Sequence, residues 1–442
     1  MPISVIAIIA VVVGLGVMIF VHEGGHFLAA KLCGVRVEVF SLGFGTRLWG
    51  FKRGDTDYRL SALPLGGYVR MAGDNPLEER TGQPYEFLSQ PRYKRFFIAI
   101  SGPAMNFLLA FVIFCGIYWL KGIPYDSYTR EAPVVSAVDQ SANISGVRAG
   151  DTILSVNGVA TPKWENVEEE ISKLQPGGAL AFVVSRAGAQ QTLTATIPAR
   201  VSEFSLMGYP EVPAVIDTPG MGLPAEKAGL RPDDVIIAAN GEPVVTWFQL
   251  TETIRQANGH PVHLVVRRAG KEIPFDVTPA KAPTADGGQS WQIGILRKAP
   301  DLFERQGFPV AVRDAALTTY TSTRDIAGVI GGLFAGRVSM HDLAGPLGIM
   351  QMSGQAAKRG SMDLLSLMAF ISVNLGLLNL LPIPILDGGH VLMLAIEGLR
   401  RRDLSIAVKE RFVQVGLVFL LAVFAFVMYS DILKIIQSHS TH

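Results

Sequence analysis

The chain has 442 residues, 49% hydrophobic and 17% charged, with a formal net charge of +1 and a positive mean hydropathy. That balance excludes a nucleic-acid binder working through a basic face, and it points to a membrane protein of roughly two to four domains rather than a large soluble enzyme. Two cysteines, Cys33 and Cys115, exclude a disulfide framework, and Cys115, inside an apolar run, reads as a small buried hydrophobe.

Ile3 to Phe20 carries no charged residue, a length that reads as a membrane span. The apolar segment extends to Ala30 and would be about 42 Å long as a helix, against a hydrocarbon core of about 30 Å, so it must tilt or protrude. No Lys or Arg precedes it and it exceeds a signal-peptide core, which predicts a retained anchor. At its inner end stands His22-Glu23-Gly24-Gly25-His26. Residues four apart share a helix face, so two imidazoles can reach one ion, and Glu23 can reach a water beside it. Hydrolysis at zinc needs three protein ligands and an open position, so one ligand is missing from this stretch. Ionisable groups at membrane depth are costly and by default functional.

Residues 31–95 hold eleven Lys/Arg against seven Asp/Glu. The positive-inside rule then puts this loop in the cytoplasm and the N-terminus outside. Within it, Ser41–Gly45 and Leu63–Arg70 are apolar, glycine-rich and short, which predicts β-strands. Two readings stand, an ordinary cytoplasmic hairpin or a re-entrant β element offering an edge to an extended peptide. A second span is expected over 96–120. Gly102, Pro103 and Asn106 in its first half predict close helix packing and a hydrogen bond in the bundle interior.

Residues 121–310 are more charged and contain an internal repeat. Val147–Gly158 aligns with Leu230–Gly241 at an offset of 83, and Trp164 and Trp247 keep that offset. The Gly-Asp, β-run, Asn-Gly pattern predicts two similar modules in tandem, each with a strand ending in a tight turn. It resembles the bacterial PDZ domain, most closely from Ala228-Gly229-Leu230 onward, which implies modules over 128–200 and 211–282. The first copy departs with Ser145-Gly146-Val147 and the second with Asp233 in place of glycine. Their roles divide between peptide binding and bulk alone.

Residues 300–363 are mixed. Ile326 to Met340, interrupted by Arg337, predicts an interfacial helix rather than a span, and Gly345-Pro346 a turn or helix start. A third apolar segment over 364–390 ends in Asn374, Asn379, Pro382, Pro384, Asp387 and His390. Prolines break a helix, and broken backbone at membrane depth is tolerated only beside protein or a water-filled cavity. Alternation of spans brings Asp387 to the depth of His22 and His26, as the candidate third ligand. A basic loop, 391–411, and a fourth span over 412–430 close the topology, with N- and C-termini and the repeat modules extracytoplasmic. His390 reads as a helix-start residue with ligation the lesser alternative. His260 and His263 read as strand residues, and His341, His439 and His442 have no evident partners.

Taken together, His22-Glu23-x-Gly25-His26, Gly66-Gly67-Tyr68-Val69, Gly102-Pro103-x-x-Asn106-Phe107, the tandem repeats and Asn379-x-x-Pro382-x-Pro384-x-Leu386-Asp387-Gly388 resemble the site-2 protease family of intramembrane metalloproteases, in its RseP-type bacterial branch. The resemblance covers nearly the whole chain. It implies a polytopic α-helical membrane protein with four transmembrane helices, a membrane-associated β hairpin and two α+β PDZ-like domains. It also implies zinc held by His22, His26 and Asp387, with Glu23 as general base. Asn374 and Asn379 would face the substrate, and Gly66, Gly67, Tyr68 and Val69 would pair with it as a strand. The implied partners are the lipid bilayer of the bacterial inner membrane, peptide ligands of the PDZ-like domains, and a single-span transmembrane substrate such as an anti-sigma factor, cut after trimming by another protease. Gly24 stands where relatives often carry a bulkier residue. The competing class is a membrane-anchored PDZ scaffold with a structural or inactive metal site. Closed zinc sites take four ligands, usually with cysteine, and neither Cys33 nor Cys115 has a place in one. A transporter fits less well, since no inverted repeat of spans is visible.

Overall fold

The computed structural model describes residues 5–75, 81–138, 145–175, 177–197, 206–220, 222–283, 289–298, 302–336 and 345–439. The chain forms two compact units, Met1–Gly122 with Arg305–Ile432, and Ile123–Glu304 with Leu433–His442.

The first unit opens with α1 (Val5–Leu32), followed by β1 (Val37–Arg53) and β2 (Thr56–Met71). The expected strand pieces lie inside β1 and β2, with Ser41 opposite Tyr68 and Leu42 opposite Gly67. The hairpin doubles back on itself. Phe40 pairs with both Tyr58 and Val69, and Phe51 also pairs with Tyr58. Four runs therefore lie side by side, in the order 47–53, 57–61, 39–42 and 67–70. Gly43 and Gly45, at φ of 91° and 86°, turn the chain where β1 bends. The run 67–70 is left as an edge with no further strand partner among the described residues. Helix α2 (Arg92–Leu120) follows, with Pro103 inside it.

In the second unit, β3 (Thr152–Val156), α3 (Trp164–Ser172), β4 (Ala179–Arg186) and β5 (Ala189–Thr196) make one antiparallel module around Trp164, Phe182 and Val184. Then come β6 (Ile216–Pro219), β7 (Val235–Ala239), α4 (Trp247–Gln256), β8 (Val262–Arg268), β9 (Lys271–Val277) and β10 (Ile295–Arg297). The strands β7, β8 and β9 repeat the order of β3, β4 and β5. The repeat extends to a buried ion pair: Arg186 grips Asp151 at 2.7 Å and Arg268 grips Asp234 at 2.7 Å. Both modules run past their expected ends at 200 and 282. Tyr209 pairs with Ala137 in the first, and β10 pairs with β6 in the second. These pairings join residues about 70 to 80 apart, with no local periodicity to announce them. Trp247 and Phe248 of α4 pack on the core of the first module.

Back in the first unit, α5 (Phe308–Phe334) does not lie alone at an interface. It packs on α2 through Ala315 and Ile326 against Ala110 and Phe114. Arg337 to Met340 fall outside the described residues. Helix α6 (Pro346–Arg359) starts at the expected Gly345-Pro346, and buried Asp431 accepts the Gly345, Leu347 and Gly348 N–H groups at 3.1–3.2 Å. Then follow α7 (Ser361–Leu380), α8 (Asp387–Arg400) and α9 (Ile406–His439). Among the described residues four helices, α1, α2, α7 and α9, are long and apolar enough to cross a membrane.

Candidate metal centre and active site

His22 and His26 lie one turn apart on α1, and each is only 8% exposed. They are seated by two glycines. A Cβ on Gly25 would stand 2.3 Å from the Ser101 carbonyl oxygen, and one on Gly102 would stand 2.2 Å from His26 Nε2. Only hydrogen at both positions lets α1 and α2 approach this closely.

Asp387 reaches them through the break between α7 and α8. Pro382 and Pro384 cannot donate to a helix, and Ile385 sits at φ of 81°, a left-handed conformation costly for a β-branched residue. Gly388 and Gly389 let the first turn of α8 press back on the break. A Cβ there would meet the Leu381 and Ile383 carbonyl oxygens at 2.1 and 2.4 Å.

The result is a triangle of atoms able to hold a metal ion. His22 Nε2 is 3.1 Å from Asp387 Oδ2, His26 Nε2 is 3.3 Å from Asp387 Oδ1, and the two Nε2 atoms are 3.3 Å apart. Bonds of about 2.0–2.1 Å at a tetrahedral angle put two zinc ligands about 3.3 Å apart, so the spacing fits zinc. The donor set fits as well. His26 Nδ1 is 2.8 Å from the Ile98 carbonyl oxygen, which can only accept. Nδ1 therefore carries a proton, which leaves Nε2 as the nitrogen able to give a lone pair to a cation shared with the Asp387 carboxylate. Among the described residues this is the one cluster of three such side chains.

Glu23 stands beside the triangle rather than in it, with the Val69 backbone N–H facing its carboxylate. Gly67 makes that approach possible, since a Cβ would meet Glu23 Cγ and Ser41 O at 3.0 and 2.9 Å. A cavity of about 1160 Å³ joins Glu23, the three ligand-type residues, the Gly66–Val69 strand and Asn379. Asn374, further up α7, is half-buried and does not line it. His390 lines the cavity from the first turn of α8 but is outside the triangle. His263 pairs with Asp276 on exposed strands of the second unit, and His341 and His442 fall outside the described residues. The sequence predicts a hydrogen bond in the bundle interior for Asn106 without naming its partner. Asn106 is fully buried, its backbone oxygen accepts from Ser372 Oγ at 2.8 Å, and its amide lies 3.1 Å from His22 Nδ1.

Comparison with known proteins agrees with this geometry. The model of peptidase family M50 matches residues 10–423. A regulator of sigma-E protease from Salmonella typhimurium is 31% identical over 454 residues, covering 96% of this chain and 97% of its own. The corresponding Escherichia coli protein is 31% identical over 452 residues, covering 95% and 97%. A Neisseria meningitidis relative named as a zinc metalloprotease is 32% identical over 450 residues, covering 97% and 99%. An M50 match spanning nearly all of a chain with four membrane-length helices and a zinc-sized triangle of His, His and Asp leaves one conclusion: this chain belongs to peptidase family M50 and is a zinc metalloprotease.

Proposed function

We propose that the protein hydrolyses a peptide bond within a single-span transmembrane substrate, near the cytoplasmic side of the bacterial inner membrane. The observation that carries this reading is the ligand triangle on α1 and α8, spaced 3.1–3.3 Å and set among membrane-length apolar helices. His22, His26 and Asp387 hold the metal. When bound, zinc supplies Lewis acidity, polarising the scissile carbonyl and acidifying a water. Glu23 takes the proton of the attacking water and delivers it to the leaving amide nitrogen.

A substrate helix hides its carbonyls in its own hydrogen bonds, so it must be unwound before attack. Apart from the Val69 N–H that faces Glu23, the strand edge at Gly67–Arg70 offers replacement backbone bonds, and the segment Gly66, Gly67, Tyr68 and Val69 borders the same cavity as Glu23. Asn379 offers an amide to the unwound chain from that cavity, and Asn374 acts from further along α7. The tandem modules are PDZ-like domains on the extracytoplasmic side that exclude substrates with large outer parts. The substrate class is then an anti-sigma factor or similar protein already trimmed by another protease, in keeping with relatives named as regulators of sigma-E.

The test is reconstitution in lipid with a panel of single-span candidates. Glu23→Gln should keep its zinc and lose at least about 10²-fold in cleavage rate. Full activity in that variant ends the proposal.

A further inference from the structure

The motif Gly102-Pro103-x-x-Asn106 has no part in the chemistry above, yet one face of α2 backs both histidines. Ile98, Gly102 and Asn106 follow one another at intervals of four, so they line up along that face. The Ile98 carbonyl fixes the His26 ring, and Gly102 leaves room for it. His22 has the same requirement as His26. For Nε2 to turn its lone pair toward the ligand triangle, Nδ1 must carry the proton and donate it.

The group facing His22 Nδ1 is the Asn106 amide, whose nitrogen lies 3.1 Å away. In that orientation the Asn106 Oδ1 atom is buried without a hydrogen-bond partner among the described residues. A half-turn of the amide exchanges two atoms of nearly equal size and brings Oδ1 to His22 Nδ1–H. The backbone beneath is held by Ser372 Oγ on the Asn106 carbonyl at 2.8 Å. A Cβ on Gly376 of α7 would come within 3.3 Å of Asn106 Cβ, so the crossing has little slack.

We infer that Asn106 is a positioning residue: its side-chain oxygen accepts the Nδ1 proton of His22 and aims Nε2 into the metal site. This rests on His22 being a zinc ligand. Outer partners of this kind change metal affinity by about 10- to 100-fold.

The experiment uses the full-length protein, purified and stripped of metal. Zinc affinity is read by competition with a chelator, and the melting midpoint of the metal-free form reports packing separately. Asn106→Leu keeps the side-chain volume and loses the acceptor, and should bind zinc about 10- to 100-fold more weakly. Asn106→Asp keeps an acceptor and should stay within about threefold of wild type, which loss of packing alone does not predict. Ser372→Ala loosens the same crossing without touching His22 and should keep wild-type zinc affinity. If Asn106→Leu does not fold, Asn106→Ala takes its place. Wild-type affinity in the Leu variant, or equal losses in the Leu and Asp variants, overturns the inference. His22→Ala separates the two levels. If it loses zinc while Asn106→Leu does not, only the positioning role fails. If it binds zinc normally, the ligand assignment fails and the inference with it.

Discussion

A single methyl group on Gly102 decides whether α2 leaves room for His26. That methyl would fall 2.2 Å from His26 Nε2, against a ring already tied to the Ile98 carbonyl. Gly102→Ala should therefore displace the ring or part the helices, at a cost of about 1–3 kcal/mol, and weaken zinc binding at least tenfold. Gly116→Ala on the same helix, where nothing lies within 4 Å, serves as the control and should bind zinc as wild type does. A chelator titration of the two variants reads the difference. Gly25 and Gly388 belong to the same argument, because each is a site where a side chain would meet backbone rather than a movable neighbour. Gly24 differs from them. A Cβ there meets nothing within 4 Å, so no neighbour holds this position to glycine.

At the level of elements, the doubled-back hairpin determines what the cavity offers a substrate. Because 39–42 is flanked on both sides, the run 67–70 has no strand on its outer edge among the described residues. Gly67→Val would push a side chain against Glu23 and the Ser41 carbonyl. It should slow cleavage at least about tenfold while zinc content stays at wild-type level, since the atoms nearest a Cβ there belong to Ser41, Glu23 and Ile19. The ion pair of the first repeat module makes a different prediction. Burial alone would raise the Asp151 carboxyl, but two bonds from Arg186 and one from the Arg148 N–H outweigh it and hold it below the usual carboxylate range. A depressed native value contributes stability that is complete above the unfolded value of about 4 and disappears as pH falls through the lower native one. Followed by fluorescence of the buried Trp164, the thermal midpoint of this module should drop on acidification from about pH 5 to about pH 2. In Asp151→Asn it should start lower and depend less on pH.

For the whole molecule, the proposed division of labour is between a membrane unit that cuts and a repeat unit that selects. Each repeat module has its own core, and the two share contacts through Trp247 and Phe248. Deleting residues 130–280 should therefore leave zinc binding intact and allow cleavage of full-length substrates that the complete protein spares. Gel analysis of cleavage in lipid vesicles measures this. Continued resistance of those substrates would remove selection from the repeat unit and leave it a structural part.

Local chemistry made a large part of this protein readable from its residues. Membrane-length apolar runs announce their helices because burial in lipid demands them. The His22–His26 spacing needs only the pitch of a helix, and proline and glycine around Asp387 reveal a break because their backbone constraints are intrinsic. The repeat was visible because its turns recur at offsets of 82 to 83 residues. Other features depended on tertiary structure. The second pairing of Phe40, the strands completing each repeat module beyond 200 and 282, and the packing of α5 on α2 all join residues far apart in sequence, where no local pattern records the partner. Asn106 belongs with these. As a residue it is one polar group in an apolar helix, and only the approach of α1, permitted by Gly25 and Gly102, brings His22 against it. The sequence determined which groups were available for chemistry; close packing of helices decided which of them meet, because hydrogen bonds act over about 3 Å and metal ligation over about 2 Å.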